Sequence, residues 1–501
     1  MKNASILKYF LINTLTVTLL CCVPLFHAAT QEKKIEAQSY LLAGYDCIHK
    51  KEYEQALPHL EQAVGLDPDN SSARILLGDA LSKMQKSEQA LVHYQAADKL
   101  KPHCFAILYR WANTEKKLNH SDQALTVAQQ LISLEPCSAE AHSLLADIFS
   151  TQRIFSAAIE HYQQAIAYKP SATQAYKALG DIYWANGDFL NAWATFKHID
   201  NKYTATPENP WWDGADPTEK TILIIDGGGF AGDPRIGGGY GDTFQSLRYA
   251  QELKKKKCTI IFQARPELIP ILSLCPYIDT LIAEGDSCPH YDLKTTTARL
   301  FQNFNTSPNS IPRKIPYLYA DPTLVTHWKK QLAKDTHFKI GLCWSAKQYW
   351  WCCSDGTSGP QKQIRSMPVD YFAQLAQIPN VSLYSLQKTY GEQDAKALPI
   401  NHFEQSFDQK HGRFMDTVAV MKNLDLVITV DTAIAHLAGA LGIPVWILLP
   451  RYADGRWLSD PKTTPWYPTM RLFRQQKADD WENVIQEVIR ELHTIISKNA
   501  A

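Results

Sequence analysis

Apolar residues in the C-terminal part of the chain gather in short continuous runs. Leu424–Val430 and Ile443–Leu449 are two Val- and Ile-rich examples, the pattern of strands buried on both faces of one parallel sheet. The residues between them read as a short helix, capped by Asp431 or Thr432 and ended by Gly442. Similar runs occur at Thr221–Ile225, in CTIIFQA at Cys258–Ala264, in FKIGLCWSA from Phe338 and in VSLYSLQ from Val381. Helical and strand-like segments alternate to about Lys334 and then restart, which predicts two successive parallel α/β lobes. In open parallel sheets ligands bind beyond the carboxyl ends of the strands, where helix N-termini offer free amides to anions. The turn at Asp431–Ala433 is therefore a candidate anion site.

The preceding part of the chain has a different period. Pro68, Pro102, Pro136 and Pro170 recur every 34 residues, as do Ala56, Ala90, Ala124, Ala158 and Ala192. Small residues stand in the same register at Gly44, Gly78, Ala112, Ala146 and Gly180. This pattern resembles the tetratricopeptide repeat (TPR). Each helix pair there buries its apolar face only on its neighbours, so small residues must recur where backbones approach. Five repeats are expected over residues 37–206, with Thr204 where the last proline would stand. Asp79, Asn113, Asp147 and Asp181, again 34 apart, occupy the helix face that in this family usually lines the concave groove. They are candidates for contact with a protein or peptide acceptor, against the plainer reading that Asn and Asp are simply common at that position. The resemblance specifies fold far better than function. Residues 207–220 read as a linker, with Trp211 and Trp212 expected to dock the domains on either side.

Composition narrows the field. The 51 basic and 51 acidic residues cancel, which removes the charge excess that a nucleic-acid partner would call for. Eleven cysteines are scattered without a C-x-x-C pair, and there is no H-E-x-x-H, so structural zinc is not expected. At the N-terminus, Lys2 and Lys8 precede the uncharged stretch Tyr9–Phe26, and residues 1–30 read as a signal or membrane-anchor segment.

After Thr221–Ile225 comes a loop with eight glycines before a helix that begins near Asp242. Gly227, Gly229 and Gly232 formally satisfy G-x-G-x-x-G, but the loop does not open directly into a helix, and the second strand ends at Gln263 and Ala264 without a ribose-binding acid. A nicotinamide or flavin site is not expected. Asp242 is left with two open roles, helix cap or general base toward a hydroxyl.

The blocks GGYGDTFQSLRYA (Gly238–Ala250), KIGLCWSA (Lys339–Ala346), RSMPVDYFAQL (Arg365–Leu375), SLYSLQK (Ser382–Lys388) and the run from Asp416 through WYPTMRLFRQ carry a second resemblance. The C-terminal half resembles the glycosyltransferase-like domain fused to TPR repeats, related to heptosyltransferases and more distantly to protein O-linked N-acetylglucosamine transferases. The resemblance implies a TPR α-solenoid followed by α/β, two Rossmann-like lobes of GT-B type, over 221–335 and 336–498. It implies a nucleotide-diphospho-sugar as substrate, no other cofactor and no metal. Carried over by position, Asp431, Thr432, Ala433 and His436 match the donor-binding motif, and Asp242 matches the catalytic base. Arg365, Gln387 and Lys388 match polar positions facing the donor. The expected activity is an inverting transfer to a protein or glycan acceptor presented by the repeats. The rival expectation is a non-catalytic scaffold with a degenerate transferase domain, favoured by the unusual stretch Lys347–Ile364 with its Trp350-Trp351-Cys352-Cys353 cluster. The N-terminal segment is expected to hold the chain at a membrane with the catalytic half cytoplasmic, or else to export it to the periplasm.

Overall fold

The computed structural model describes residues 31–199, 206, 210–227, 238–346, 365–396, 398–451, 453–477 and 479–499. The chain forms two compact units that part between Ala175 and Tyr176. The expected membrane attachment is corrected: among the described residues no helix is long and apolar enough to cross a membrane. The N-terminal segment that suggested it lies outside the described residues.

The helical region consists of TPR hairpins. Their helices are α1 (31–49), α2 (Tyr53–Leu66), α3 (Ser71–Lys83), α4 (Ser87–Leu100), α5 (Phe105–Lys117), α6 (Ser121–Leu134), α7 (Ala139–Thr151), α8 (Phe155–Tyr168), α9 (Thr173–Ala185) and α10 (Phe189–Lys197). Close packing explains the small residues of the repeat. A Cβ at Gly44 would fall 2.6 Å from the Leu60 side chain, at Gly78 2.6 Å from Tyr94, and at Gly180 2.4 Å from Phe196. Each obstructing residue lies sixteen positions on; at Ala112 the residue sixteen on is the equally buried Ala128. The turns inside the hairpins share the register. Lys51, Gln85, Asn119, Arg153 and Gly187 adopt φ of 65, 63, 60, 60 and 76°, the left-handed conformation that ends many helices.

In the first unit, Leu41, Leu60, Leu77, Leu81 and Tyr94 form one apolar cluster, and Leu108, Val127, Leu131, Leu144 and Ile148 form another. The last hairpin behaves differently. Trp184, Phe189, Trp193 and Phe196 belong to the core of the α/β unit, together with Phe244, Phe301 and Trp466. Trp193 Nε1 donates to Thr306 O at 2.8 Å.

The α/β unit continues with β1 (Thr221–Ile225), α11 (Tyr240–Ser246), α12 (Arg248–Lys255), β2 (Thr259–Ala264), α13 (Ile269–Leu272), β3 (Thr280–Ala283), β4 (Leu293–Thr296), α14 (Leu300–Asn303) and α15 (Pro322–Leu332). There follow β5 (Phe338–Cys343), β6 (Val381–Ser385), α16 (Met415–Met421), β7 (Leu426–Val430), α17 (Ala433–Leu441), β8 (Val445–Leu449), β9 (Met470–Arg474) and α18 (Trp481–Asn499). Two wholly parallel sheets result, in the orders β3-β2-β1-β4 and β6-β5-β7-β8-β9. The tryptophan pair of the expected linker is part of this unit. Trp211 bridges to Lys294 at the β4 edge, and Trp212 is buried in the core, its Nε1 donating to Ala215 O at 2.7 Å.

Candidate functional site

Strand order locates the site. In the second sheet the order reverses between β5 and β7, and ligands of open parallel sheets bind beyond the carboxyl ends at such a reversal. The residues there are Cys343–Ser345 after β5 and Asp431–Ala433 after β7. Thr432 is the N-cap of α17, its hydroxyl accepting from Ile434 N at 3.2 Å and lying 3.1 Å from Thr429 Oγ1. Gly442 closes the helix at φ +73°. Ala433 N has no acceptor among the described residues, which leaves one amide at the positive end of the helix dipole.

Asp242 comes to the same place from the first sheet. It lies in α11, where its Oδ2 accepts from Gly239 N at 2.8 Å, one half of a capping box. The helix packs directly on α17: a Cβ at Gly241 would fall 2.7 Å from His436 Cδ2 and 3.3 Å from Ala433 Cα. Only glycine permits that approach. Asp242 Oδ1 accepts from Arg456 Nη1 at 2.8 Å, and the same nitrogen donates to Gln245 Oε1 at 3.1 Å. Arg456 Nε donates to Asp454 Oδ1 at 3.1 Å. Burial works against the Arg456 charge, yet Asp454, Asp242 and Asp431 together hold the guanidinium well above its ordinary value. Asp454 is half-buried, and Arg456 holds its carboxyl below the usual range against the desolvation that would raise it. Base and cap, the two roles left open for Asp242, are thus joined by a third, as ion-pair partner.

The other expected donor-site residues divide into presented and packed groups. Asp431 is 5% exposed; its carbonyl accepts from Arg365 Nη2 at 2.9 Å, and its Oδ2 lies 3.9 Å from Arg365 Nε. Arg365 Nε is buried and has no hydrogen-bond partner. The Nε2 of buried Gln245 is another such donor. Lys388 Nζ is 3.8 Å from Glu392 and sits over the Phe407 ring.

Gln387 is fully engaged instead. Its Oε1 accepts from Trp344 N and Ser345 N at 3.0 and 2.9 Å, and its Nε2 donates to the carbonyls of Ser345 and Tyr390. His436 is packed as well, with Nδ1 2.9 Å from Tyr467 Oη, its ring stacked on Trp457, and Nε2 3.5 Å from Arg456 Nη1. Burial, followed by the neighbouring Arg456 charge, pushes its imidazole well below the usual value. The histidine is neutral and holds α17 in place.

The four groove candidates also differ among themselves. Asp79 accepts from Tyr94 Oη at 2.7 Å and Arg110 Nε at 2.8 Å. Asp147 accepts from Tyr162 Oη and, at 2.6 Å, from Lys116 Nζ. Asn113 is half-buried on the same register. Asp181 has no such tyrosine, because the residue fifteen on is Phe196. Burial raises its carboxyl to about 7, with Lys177 opposing and Asp454 adding to the shift.

Sequence reasoning missed Arg456, Asp454 and the Trp184 that contacts Asp454. Asp454-Gly455-Arg456 lies in a turn after β8 with no periodic signal, and only the strand order brings it to α11. It also missed Asp226, 1% exposed at the end of β1 and paired with Arg265 at 2.6 Å. The Lys347–Ile364 stretch and most of the glycine loop lie outside the described residues. Among the described residues no group of three or more His, Cys, Asp or Glu is arranged to hold a metal ion.

Comparison with known proteins bears mainly on the helical part. Residues 48–92 match a tetratricopeptide repeat model and residues 155–187 a TPR repeat model. Protein FlbA of Caulobacter vibrioides is 23% identical over 237 residues, 46% of this chain and 36% of that protein. The chain therefore spans about a third of the length of that curated relative. Among solved structures, MamA from Desulfovibrio magneticus RS-1 shares 22% identity with a TM-score of 0.31, covering 32% of this chain and 92% of its own. YrrB, described as a TPR protein with an unusual peptide-binding site, shares 18% with a TM-score of 0.29, covering 34% and 89%. PilF of Pseudomonas aeruginosa shares 13% with a TM-score of 0.31, covering 36% and 81%. Superpositions this slight say nothing of this chain's function.

Proposed function

We propose that the α/β unit is a glycosyltransferase that moves a sugar from a nucleotide-diphospho-sugar to a protein or glycan acceptor presented by the TPR hairpins. The observation that supports it best is the meeting of Asp242 and Arg456 beside the N-terminus of α17, at the sheet reversal where open parallel sheets bind ligands. The free donors gathered there suit an oxygen-rich anion: Ala433 N, Arg365 Nε and Gln245 Nε2. In this reading Arg365 and the α17 amide take up the charge of the departing diphosphate, so no divalent ion is called for. Asp431 orients the donor. Asp242 receives the proton of the acceptor hydroxyl as it attacks the anomeric carbon, with inversion. Arg456 holds the carboxylate toward that hydroxyl.

A scaffold reading draws on a different fact. Both oxygens of Asp242 already accept hydrogen bonds, and Gln387 and His436 are committed to packing. One experiment separates the two. Purified protein is titrated with UDP-, GDP- and ADP-sugars, and transfer or donor hydrolysis is then followed. Binding that is lost in Asp431→Ala, with turnover lost in a folded Asp242→Asn variant, supports the enzyme. No binding to any donor, or binding indifferent to Asp431→Ala, removes it.

A further inference from the structure

The turn after β8 carries Asp454-Gly455-Arg456, and the last repeat hairpin lies directly on it. A Cβ at Gly455 would fall 2.3 Å from Trp184 O and 2.8 Å from Ala185 Cα, so any other residue would push helix and turn apart. The approach brings Trp184 Nε1 to 3.1 Å from Asp454 Oδ1. That oxygen also accepts from Arg456 N at 2.9 Å and from Arg456 Nε at 3.1 Å. Arg456 Nη1 then donates to Asp242 Oδ1. Asp454 Oδ1 thus takes the Trp184 N–H and the Arg456 N–H groups together, and the guanidinium it holds donates in turn to Asp242. The start of the chain is itself fixed: the Trp184 ring stacks on Phe189 at 4.4 Å and tilts against Trp193 at 5.3 Å. Trp466 Nε1 clamps the turn independently, donating to Arg456 O at 2.6 Å.

We propose that Trp184, a residue of a TPR helix, is a positioning residue for Asp242, acting through Asp454 and Arg456. This rests on the transfer reading above. The last hairpin then serves the chemistry of the α/β unit, and its role in acceptor contact is secondary.

Trp184→Phe preserves the ring packing and deletes the N–H alone. With a sugar donor from the UDP, GDP and ADP panel, kcat is expected to fall about 10-fold while the donor KM stays within about 2-fold, because a misaimed base weakens the transition state and leaves the ground state untouched. Trp184→His, which restores a ring N–H, is expected to recover part of the loss. Gly455→Ala supplies a second route, keeping the indole N–H but pushing the turn away from α9 and so stretching the Trp184–Asp454 link, and is expected to lower kcat in the same way. Full kcat in a folded Trp184→Phe or Gly455→Ala protein overturns the proposal and leaves the transfer reading standing. A wild-type protein that binds none of UDP, GDP or ADP overturns both.

Discussion

The fifth TPR hairpin and the four before it share one register and differ in what they pack against. In the earlier hairpins the repeated aspartates are tied by a tyrosine and a cation, Asp79 by Tyr94 and Arg110, and Asp147 by Tyr162 and Lys116. In the fifth, Phe196 stands at the register position of those tyrosines, and Asp181 feels Asp454 of the α/β unit. One position of the array that is leucine or isoleucine in the earlier repeats has likewise become tryptophan: Trp193 stands 68 residues beyond Leu125. A repeat can therefore keep its backbone geometry while changing the unit it belongs to, provided its side chains change first.

The largest effect is expected where the fifth hairpin enters the α/β core. Trp193→Ala removes a buried indole and leaves Thr306 O without its donor, and should cost about 3–5 kcal/mol. Leu125→Ala, its partly buried counterpart, should cost about 1–2 kcal/mol. Chemical denaturation checks both, and equal losses would erase the contrast.

The ion pairs should differ nearly as much. Arg456→Met leaves Asp454 and Asp242 without their buried cation and should destabilise by about 3–5 kcal/mol. Arg110→Met removes a half-exposed pair with Asp79 and should cost within about 1 kcal/mol. Thermal unfolding in low and high salt would show the second loss shrinking with salt.

A smaller effect should appear as pH dependence. The Asp181 carboxyl sits near 7 in the folded protein, above the value of about 3.9 for an unfolded aspartate. The folded state then binds more protons between these values, so stability falls as pH rises through the window and the full penalty is reached above about 7. Asp181→Asn should raise stability at pH 8 by about 1–3 kcal/mol and change little at pH 4. His436 works in the opposite sense. Its depressed value means that stability is lost as pH falls below about 6.5, where the unfolded imidazole takes up a proton. A pH-independent difference between wild type and Asp181→Asn would refute the assignment.

The finest test restores the missing hydroxyl. Phe196→Tyr should let Asp181 accept the bond that Tyr94 and Tyr162 give their aspartates, lowering its titration midpoint in NMR and adding at most about 1 kcal/mol. An unmoved midpoint would mean that the surroundings of the two units, and not the one hydroxyl, set the difference.

Which parts of this were legible in the sequence follows from the range of the forces involved. The repeat register could be read because Gly44, Gly78 and Gly180 answer to a neighbour sixteen residues away, and that local constraint recurs every 34. The strands β7 and β8 and the caps Thr432 and Gly442 were equally local. Arg456 was invisible, since its partner Asp242 is 214 positions distant and only strand order brings them together. His436 looked like a ligand because the sequence gives the helix face and not what packs on it; Tyr467 and Trp457 supply that. That Asp181 lacks a tyrosine partner, with Phe196 in its place, is legible only once the Asp79–Tyr94 contact is known.

The tight turns of the array carry one more consequence. Lys51, Gln85 and Arg153 hold a backbone conformation that costs an ordinary L-residue about 1–2 kcal/mol, while Gly187 is exempt and Asn119 bears less of it. A hairpin freshly released from the ribosome bears that cost with no neighbour to offset it. The four early hairpins should thus stay unformed on the nascent chain until the next one emerges to stack upon them, so that their assembly follows the order of synthesis.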